Sequence, residues 1–315
     1  MPQMTMQCPQ AVTLDRICDA LDSAGRNYVV DVCSTGHMLM IPCSTATSYI
    51  DLVTGVLRLR SVWRSAIPTM EKPELYPYIL RHNREVVGPK AMIYEHGDYL
   101  HVSTQTSFQV TAGMGSQQLE ASLLLALIMV ERFTHALEFS FQWVQPEDKY
   151  IFHRDMLQKQ HVLQVPSAVY KDDPTQRVDG DFVDKTCNRL HLRTQRDGSV
   201  FHLLDAPRIL NSAQETVLRL FGEDTWFSVS ALVRLPHSVP PEELFLAVNN
   251  SNIENALGEI SILGLRRNPY LRVDYLIPTG EGLSMHQLDT QILVGVGVST
   301  DLLTRLGQQH PKFFA

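Results

Sequence analysis

The chain has 315 residues, of which 44% are hydrophobic and 19% are charged, with a formal net charge of −7 at pH 7. This composition is typical of a globular protein and excludes a disordered or fibrous chain. The negative balance argues against a dominant nucleic-acid or anionic-membrane surface, because binding to phosphates needs clustered Lys and Arg. The longest apolar run, Leu123 to Val130, is far shorter than the roughly 20 residues of a membrane-spanning helix.

The amino terminus and the cysteines indicate a cytoplasmic protein. Residues 1–10 carry no positive charge and no apolar core, so we expect no secretory signal. The five cysteines include no C-x-x-C pair. An odd number without that pairing predicts a reducing environment and no disulfide framework.

The first elements are a helix and three strands. Apolar residues recur at helical spacing from Leu14 to Leu21, directly after Thr13, a good N-cap residue. Strands are predicted near 28–31, 37–41 and 56–62. The last stretch alternates in polarity, which predicts a half-exposed antiparallel strand with Arg58 and Arg60 facing outward.

A second helix, a hairpin and a long helix follow. The helix is predicted near 74–86, with Pro77 in its first turn, because a proline farther along would break it. The hairpin has strands at 91–95 and 99–104 around a Gly97 turn. A wide apolar stripe then predicts a helix from Gly115 or Ser116 to about Leu137, buried against a sheet.

The second part of the chain repeats this order. A helix is predicted at 182–190, and a middle helix begins at Pro241. Ser284 and Gln287 form a capping box for the last helix, which extends to about Gln308. The predicted strands are 200–204, 215–221, 226–234, 259–263 and 270–277. Residues 145–178 are rich in proline and charge, and we interpret them as a linker with a short helix at 150–161.

The two parts match at an offset of 169 residues. The matches include Pro73–Tyr76 with Glu242–Phe245, Asn83 with Asn252, and Gln118-Leu119-Glu120 with Gln287-Leu288-Asp289. They keep their order, which predicts a tandem duplication with a first unit at 1–145, a linker at 146–178 and a second unit at 179–315. Each unit is predicted to be α-β-β-β-α-β-β-α, an α+β fold with an antiparallel sheet and its helices on one face.

The sequence offers few candidates for chemistry. It contains no P-loop, G-x-S-x-G, H-E-x-x-H or EF-hand motif. Glu95, His96, Asp98 and His101 cluster at one hairpin, where such residues could bind a divalent metal or move protons. Polar residues are common at exposed turns, and the second unit has no matching set. We therefore expect no metal, no cofactor and no catalytic residue.

Other notable residues have structural interpretations. Cys18 and Cys187 lie at equivalent helical positions and are expected to pack as small apolar residues. Asn83 and Asn252 are expected to bond neighbouring backbone groups. Five aromatic residues could serve a partner surface or the core, namely Trp63, Trp143, Trp226, Tyr76 and Tyr94. Arg58, Arg60 and Arg64 are the local support for a nucleic-acid regulator, which the acidic balance disfavours.

These features together resemble tandem YbjN-like domains, which share the fold of type III secretion chaperones. The resemblance rests on the opening helix (14–21 and 182–190), the middle helix ending in Asn83 or Asn252, the hairpin after it, and the closing helix with its Gln-Leu-acid motif. It covers nearly all of 12–140 and 179–310. It implies a cytoplasmic bacterial protein that is non-enzymatic and chaperone-like or regulatory, with the two units forming an intramolecular pseudo-dimer.

We accordingly expect a protein or polypeptide partner, no nucleic acid and no membrane, with a homo-oligomer left open. The alternative is a small-ligand sensor or an uncharacterised enzyme with a site in one unit only, motivated by His96, Asp98 and His101. The free sheet face and the edge strands are the candidate binding surfaces, since an edge strand can accept an added strand.

Overall fold

The computed structural model describes residues 8–33, 36–145, 160, 173–206, 214–236, 239–264 and 269–314. These residues form two antiparallel sheets and six α-helices, so the fold is α+β. We refer to 8–145 as the first half and to 173–314 as the second half. The predicted linker helix at 150–161 lies outside the described residues, apart from Gln160.

The first half begins with a helix and ends with a long helix. Its elements are α1 (Leu14–Ser23), β1 (Val29–Cys33), β2 (Gly36–Pro42), β3 (Ala46–Val53), β4 (Val56–Trp63), β5 (Ile67–Pro68), a 3-10 turn (Thr69–Glu71), α2 (Lys72–Glu85), β6 (Lys90–His96), β7 (Tyr99–Gln109) and α3 (Ser116–Ser140).

The second half has the same order of major elements. They are α4 (Gly180–Arg189), β8 (Thr194–Asp197), β9 (Val200–Leu203), β10 (Gln214–Phe221), β11 (Trp226–Arg234), α5 (Pro241–Glu254), β12 (Glu259–Leu263), β13 (Tyr270–Pro278), α6 (Met285–Gln309) and a 3-10 turn (Pro311–Phe313).

The two sheets also share their strand order. The first sheet runs β1-β2-β3-β4-β7, with β6 and the short β5 both paired to β7. The second runs β8-β9-β10-β11-β13-β12. In both, the second strand of the late hairpin inserts beside the fourth long strand, and the first strand of that hairpin pairs with its outer side.

Each half has one strand more before its middle helix than the sequence predicts. The prediction missed β3 because Ala46 and Ser48 are the small residues that it buries, so its inward face does not look apolar. It missed β8 because this edge strand is polar and mostly exposed throughout. The placement of Pro77 was also wrong, since α2 begins at Lys72 and contains Pro77 in its interior.

The helices of the first half pack on one face of their sheet. Leu119, Leu123 and Leu127 of α3 join Leu57 and Leu59 of β4 in one apolar cluster. Side chains of α2 form a second cluster with β6 and β7 on the same face. Burial of these alternating strand residues explains why β4 and β7 lie at the centre of the sheet.

In the second half, α6 lies very close to the sheet. A Cβ atom built on Gly295 would lie 2.5 Å from the Val229 side chain of β11. The glycine therefore permits a short helix-to-sheet distance that a larger residue would prevent. Such a contact brings the start of α6, and Gln287 with it, to the junction between the halves.

Candidate functional site at the junction of the two halves

The two middle helices cross between the halves. α2 contacts β6 of its own half and β12 of the other, and α5 contacts β12 of its own half and β6 of the other. The exchange is reciprocal, as in a two-fold dimer. The junction is therefore the place where the repeated elements act together.

Tyr76 and Phe245 mark the centre of this crossing. They lie 169 residues apart, at matched positions of α2 and α5. Their rings stack with centroids 3.9 Å apart. A residue that stacks on its own equivalent lies at a local two-fold axis.

A second matched pair, Gln118 and Gln287, also meets across the junction. Gln287 Nε2 donates to Gln118 Oε1 at 3.1 Å and to the Gly113 carbonyl at 2.8 Å. Gln118 Nε2 donates to the Gly282 carbonyl at 2.6 Å and lies 3.3 Å from Gln287 Oε1. The bonded carbonyls are themselves 169 residues apart, so the local two-fold relation extends to the backbone.

Asparagine side chains cover the outer edges of the hairpin strands. Asn83 exchanges two hydrogen bonds with the Ala91 backbone, at 2.9 and 2.8 Å, and Asn252 does the same with Ile260, at 2.9 and 2.8 Å. Their predicted structural role is confirmed. Asn249, which the sequence analysis did not single out, reaches across the junction and bonds both backbone groups of Ile93, at 2.8 and 2.9 Å.

These bonds change the status of the β6 edge. An amide that donates to a carbonyl and accepts from an N–H replaces the neighbouring strand that an exposed edge would otherwise attract. Ala91 and Ile93 are already paired in this way. This edge is therefore not a surface for strand addition.

Lys90 and Glu259 place opposite charges at one matched position. They are the first residues of β6 and β12, lie 169 residues apart, and are only 4% and 7% exposed. Lys90 Nζ donates to the carbonyls of Asn255 and Gly258 in the other half. Oε1 of Glu259 has no hydrogen-bond partner within the part of the chain that the structure describes.

Burial shifts the protonation of both groups. Loss of water contact lowers the pKa of the Lys90 ammonium to about 7. Burial, and then the nearby Asp274 carboxylate, raises the pKa of Glu259 well above its ordinary value. Both shifts favour the uncharged form, because an isolated charge is costly away from water.

A hydrogen-bonded cluster surrounds this pair. Asp274 accepts from Ser230 at 2.6 Å and from Arg272 at 2.5 Å. Arg272 also donates to the Arg84 carbonyl of the first half at 2.9 Å. Gln105 of the first half donates to the Ala256 carbonyl of the second at 2.6 Å. The polar groups thus connect the halves in both directions.

A cavity of about 310 Å³ opens beside this cluster. It lies between α3 and the end of β7 on one side, and α6 and the ends of β11 and β13 on the other. A narrower cavity of about 60 Å³, lined by Lys90, Gln105, Glu259 and Asp274 among others, adjoins it. Both cavities are lined by Phe108, Ser122, Leu125, Trp226, Tyr275 and Leu276. Geometry and size both suit a small molecule.

The arginines predicted to face outward are buried. Arg58 and Arg60 are 6% and 5% exposed, and each donates to the Asp51 carboxylate at 2.8 Å. Burial lowers the pKa of Arg60 to about 10. The prediction was wrong because it missed β3, which places Asp51 directly opposite Arg58. These two arginines do not form an exposed basic patch.

The hairpin candidates for metal binding have other partners. Glu95 accepts from the Tyr76 hydroxyl and pairs with Lys72 at 2.5 Å. The rings of His96 and His101 have centroids 6.4 Å apart. Among the described residues, no group of three or more His, Cys, Asp or Glu side chains is arranged to hold a metal ion.

The remaining candidates lie mainly in the core. Cys187 is fully buried, and burial raises the pKa of its thiol to about 11, which agrees with the packing role expected for it. Trp63 is buried, while Trp143 is 41% exposed and packs on it edge-on, with centroids 6.5 Å apart. Trp226 lines the junction cavity.

No family model and no curated protein match this chain. Among solved structures, it is similar to YbjN from E. coli, which is described as a proposed transcription regulator. The identity is 13% and the TM-score 0.38, over 44% of this chain and 96% of YbjN. The likeness concerns the fold of part of the chain and carries no functional conclusion. None of the helices in the described residues has the length and apolar character to cross a bilayer.

Proposed function

We propose that this chain is a non-enzymatic binding protein, regulatory or chaperone-like, that acts as an intramolecular pseudo-dimer of two YbjN-like units. The observation that carries the proposal is the reciprocal junction. Gln118 and Gln287 bond each other and matched carbonyls of the opposite half, and Tyr76 stacks on Phe245. Buried, mutually bonded polar groups of this kind favour one specific arrangement over loose association.

We assign the outer edge of β1 as the surface for a polypeptide partner. Within the described residues β1 pairs with β2 alone, and Val29 and Val30 are 55% and 46% exposed. An exposed apolar strand edge accepts an added strand through backbone hydrogen bonds. The matched edge of the second sheet is less suited, because Arg196 there pairs with acidic residues of α4.

The polypeptide surface is tested with a charge at the β1 edge. The tagged full chain is used to capture partners from its native extract, beside Val30→Lys and the control Leu204→Lys, whose residue is 58% exposed on another part of the surface. We expect one polypeptide in near-equal amount with the unaltered chain and the control, and its loss with Val30→Lys. No partner, or equal capture by Val30→Lys, would overturn the assignment.

The pseudo-dimer is tested separately by cutting the chain. A protease site introduced between residues 145 and 173 allows cleavage after folding. We expect the two halves to elute together in size-exclusion chromatography, because the junction contacts hold without the connection. Elution as two independent halves would contradict the pseudo-dimer.

A further inference from the structure

We propose that the junction cavity binds a small, uncharged aromatic molecule that carries an amide- or lactam-type pair of a hydrogen-bond donor and acceptor. Such a site lies between the halves and differs from the single-unit site that the sequence alternative placed at His96, Asp98 and His101.

The walls of the cavity determine the body of the ligand. Phe108, Trp226 and Tyr275 supply aromatic surface, and Leu125 and Leu276 supply aliphatic surface. Of the described residues that line the cavity of about 310 Å³, only Glu281 is charged. An apolar aromatic body fits such walls, because stacking and burial stabilise it there. A charged ligand would lose its hydration without gaining a counter-ion.

Gln109 determines the polar group of the ligand. It lines the cavity and is 3% exposed. Neither its Nε2 nor its Oε1 has a hydrogen-bond partner within the part of the chain that the structure describes. Buried side-chain amides are normally paired, because an unpaired one loses its bonds to water without replacement. A ligand with one donor beside one acceptor would satisfy both atoms together.

The matched position on the other side of the junction shows that the cavity is not a general property of the repeat. Val56 pairs with Gln109 in the first sheet, and Trp226 pairs with Pro278 in the second. Gln109 and Pro278 lie 169 residues apart, so Val56 and Trp226 have equivalent places. Val56 is fully buried in the apolar core of the second half, whereas Trp226 lines the cavity. One side is filled by protein and the other is open.

Three bicyclic probes of similar size test the proposal on the full chain. 2-Quinolone has the lactam pair, naphthalene lacks it, and 2-naphthoate carries a charge. Titration calorimetry, with the tryptophan fluorescence as a second signal, measures their affinities. We expect 2-quinolone to bind about tenfold more tightly than either other probe, since one pair of matched hydrogen bonds gives a difference of that order.

Gln109→Leu isolates the polar contact. We expect this variant to weaken 2-quinolone binding about tenfold and to leave naphthalene binding at least as tight. The control Gln195→Leu makes the same chemical change on the exposed strand β8 and is expected to alter neither. Equal affinity of the unaltered chain for 2-quinolone and naphthalene, or an unchanged 2-quinolone affinity in Gln109→Leu, would overturn the lactam assignment and leave water as the partner of the amide.

Filling the cavity tests its location. Leu125→Trp is expected to abolish binding of every probe, with Ala121→Leu as a milder version if thermal melting shows that the first variant does not fold. Both residues line the cavity. Failure of all three probes to bind the unaltered chain at millimolar concentration, or binding that survives both fillings, would refute the site. The β1 proposal would be unaffected, because Val30 is not among the lining residues.

Discussion

The two halves of the molecule place opposite charges at the same position in the same fold. Lys90 starts β6 opposite Gln105, and Glu259 starts β12 opposite Asp274. The position is therefore polar in both halves, basic in the first and acidic in the second. Lys90 bonds the other half, whereas Oε1 of Glu259 has no partner among the described residues. A shared backbone thus supports different chemistry where the halves meet.

A second comparison concerns the middle helices. Asn249 of α5 corresponds to Leu80 of α2 at the same offset. Asn249 bonds the Ile93 backbone across the junction, while Leu80 packs against the apolar clusters of both halves. The junction is thus held by hydrogen bonds on one side and by apolar packing on the other. Changes at the two sides should have distinct signatures.

The largest effect is expected from Lys90→Met, which keeps the length of the side chain and removes its donors. Two buried carbonyls lose their partner, so we expect a loss of about 2–5 kcal/mol in the free energy of unfolding. Urea unfolding at pH 7 measures it. The matched control is Lys312→Met, an exposed pair with Glu243 that is expected to cost less than about 0.5 kcal/mol. A Lys90→Met loss as small as the control's would show that the buried bonds contribute little.

The same residue predicts a dependence on pH. The folded-state pKa of Lys90 is lowered from 10.5 to about 7, so above pH 7 the unfolded chain binds more protons than the folded one. The free energy of unfolding should therefore rise with pH in this window, by up to about 1.4 kcal/mol per pH unit. Glu259 acts in the opposite sense above pH 4.5, because its folded-state pKa is raised.

The measurement is a comparison of slopes. Urea unfolding of the unaltered chain and of Lys90→Met is followed at pH 7, 8 and 9. We expect the rise to disappear in the variant, since other titrating groups contribute equally to both proteins. Parallel slopes would mean that Lys90 does not lose its proton in the folded state.

An intermediate effect is expected from Asn249→Leu, which makes this position resemble Leu80. The N–H and carbonyl of Ile93 lose their partner, so we expect a loss of about 2 kcal/mol. Amide hydrogen exchange gives the sharper signature, because Asn249→Leu should speed exchange at Ile93 and spare Ala91. Asn83→Leu should do the reverse. Exchange that increases equally at both amides in either variant would indicate a general loosening of β6.

Sequence patterns predicted the parts of the fold whose burial is periodic. The apolar stripe of α3 and the capping box of Ser284 and Gln287 were sufficient to place both long closing helices. The edge strand β8 was missed because exposed polar residues have no reason to alternate. In β3, small buried residues gave no apolar signal. Strand count was therefore the weak point, and helix placement the strong one.

The junction was visible only in part. The matches of Asn83 with Asn252 and of Gln118 with Gln287 identified residues that do bond backbone or each other. Lys90 and Glu259 escaped because a search for similar residues passes over opposite charges. An alignment at offset 169 that flags charge reversal among apolar neighbours would have found them. The cavity depends on how the halves meet, which periodicity within either half does not determine.

The smallest effect is expected at Glu95, the exposed acid of the first hairpin, in contrast to the buried Glu259. Its side chain is 44% exposed, and Lys72, followed by Tyr76, lowers its pKa. The stabilisation is thus present above pH 4.5 and is lost as the pH falls below it. Because water screens this pair, Glu95→Gln should change the free energy of unfolding by less than about 0.5 kcal/mol at pH 7 and by nothing measurable at pH 3. A larger change at pH 7 would mean that this hairpin, and not the junction alone, contributes to holding the halves together through Tyr76, whose ring stacks on Phe245.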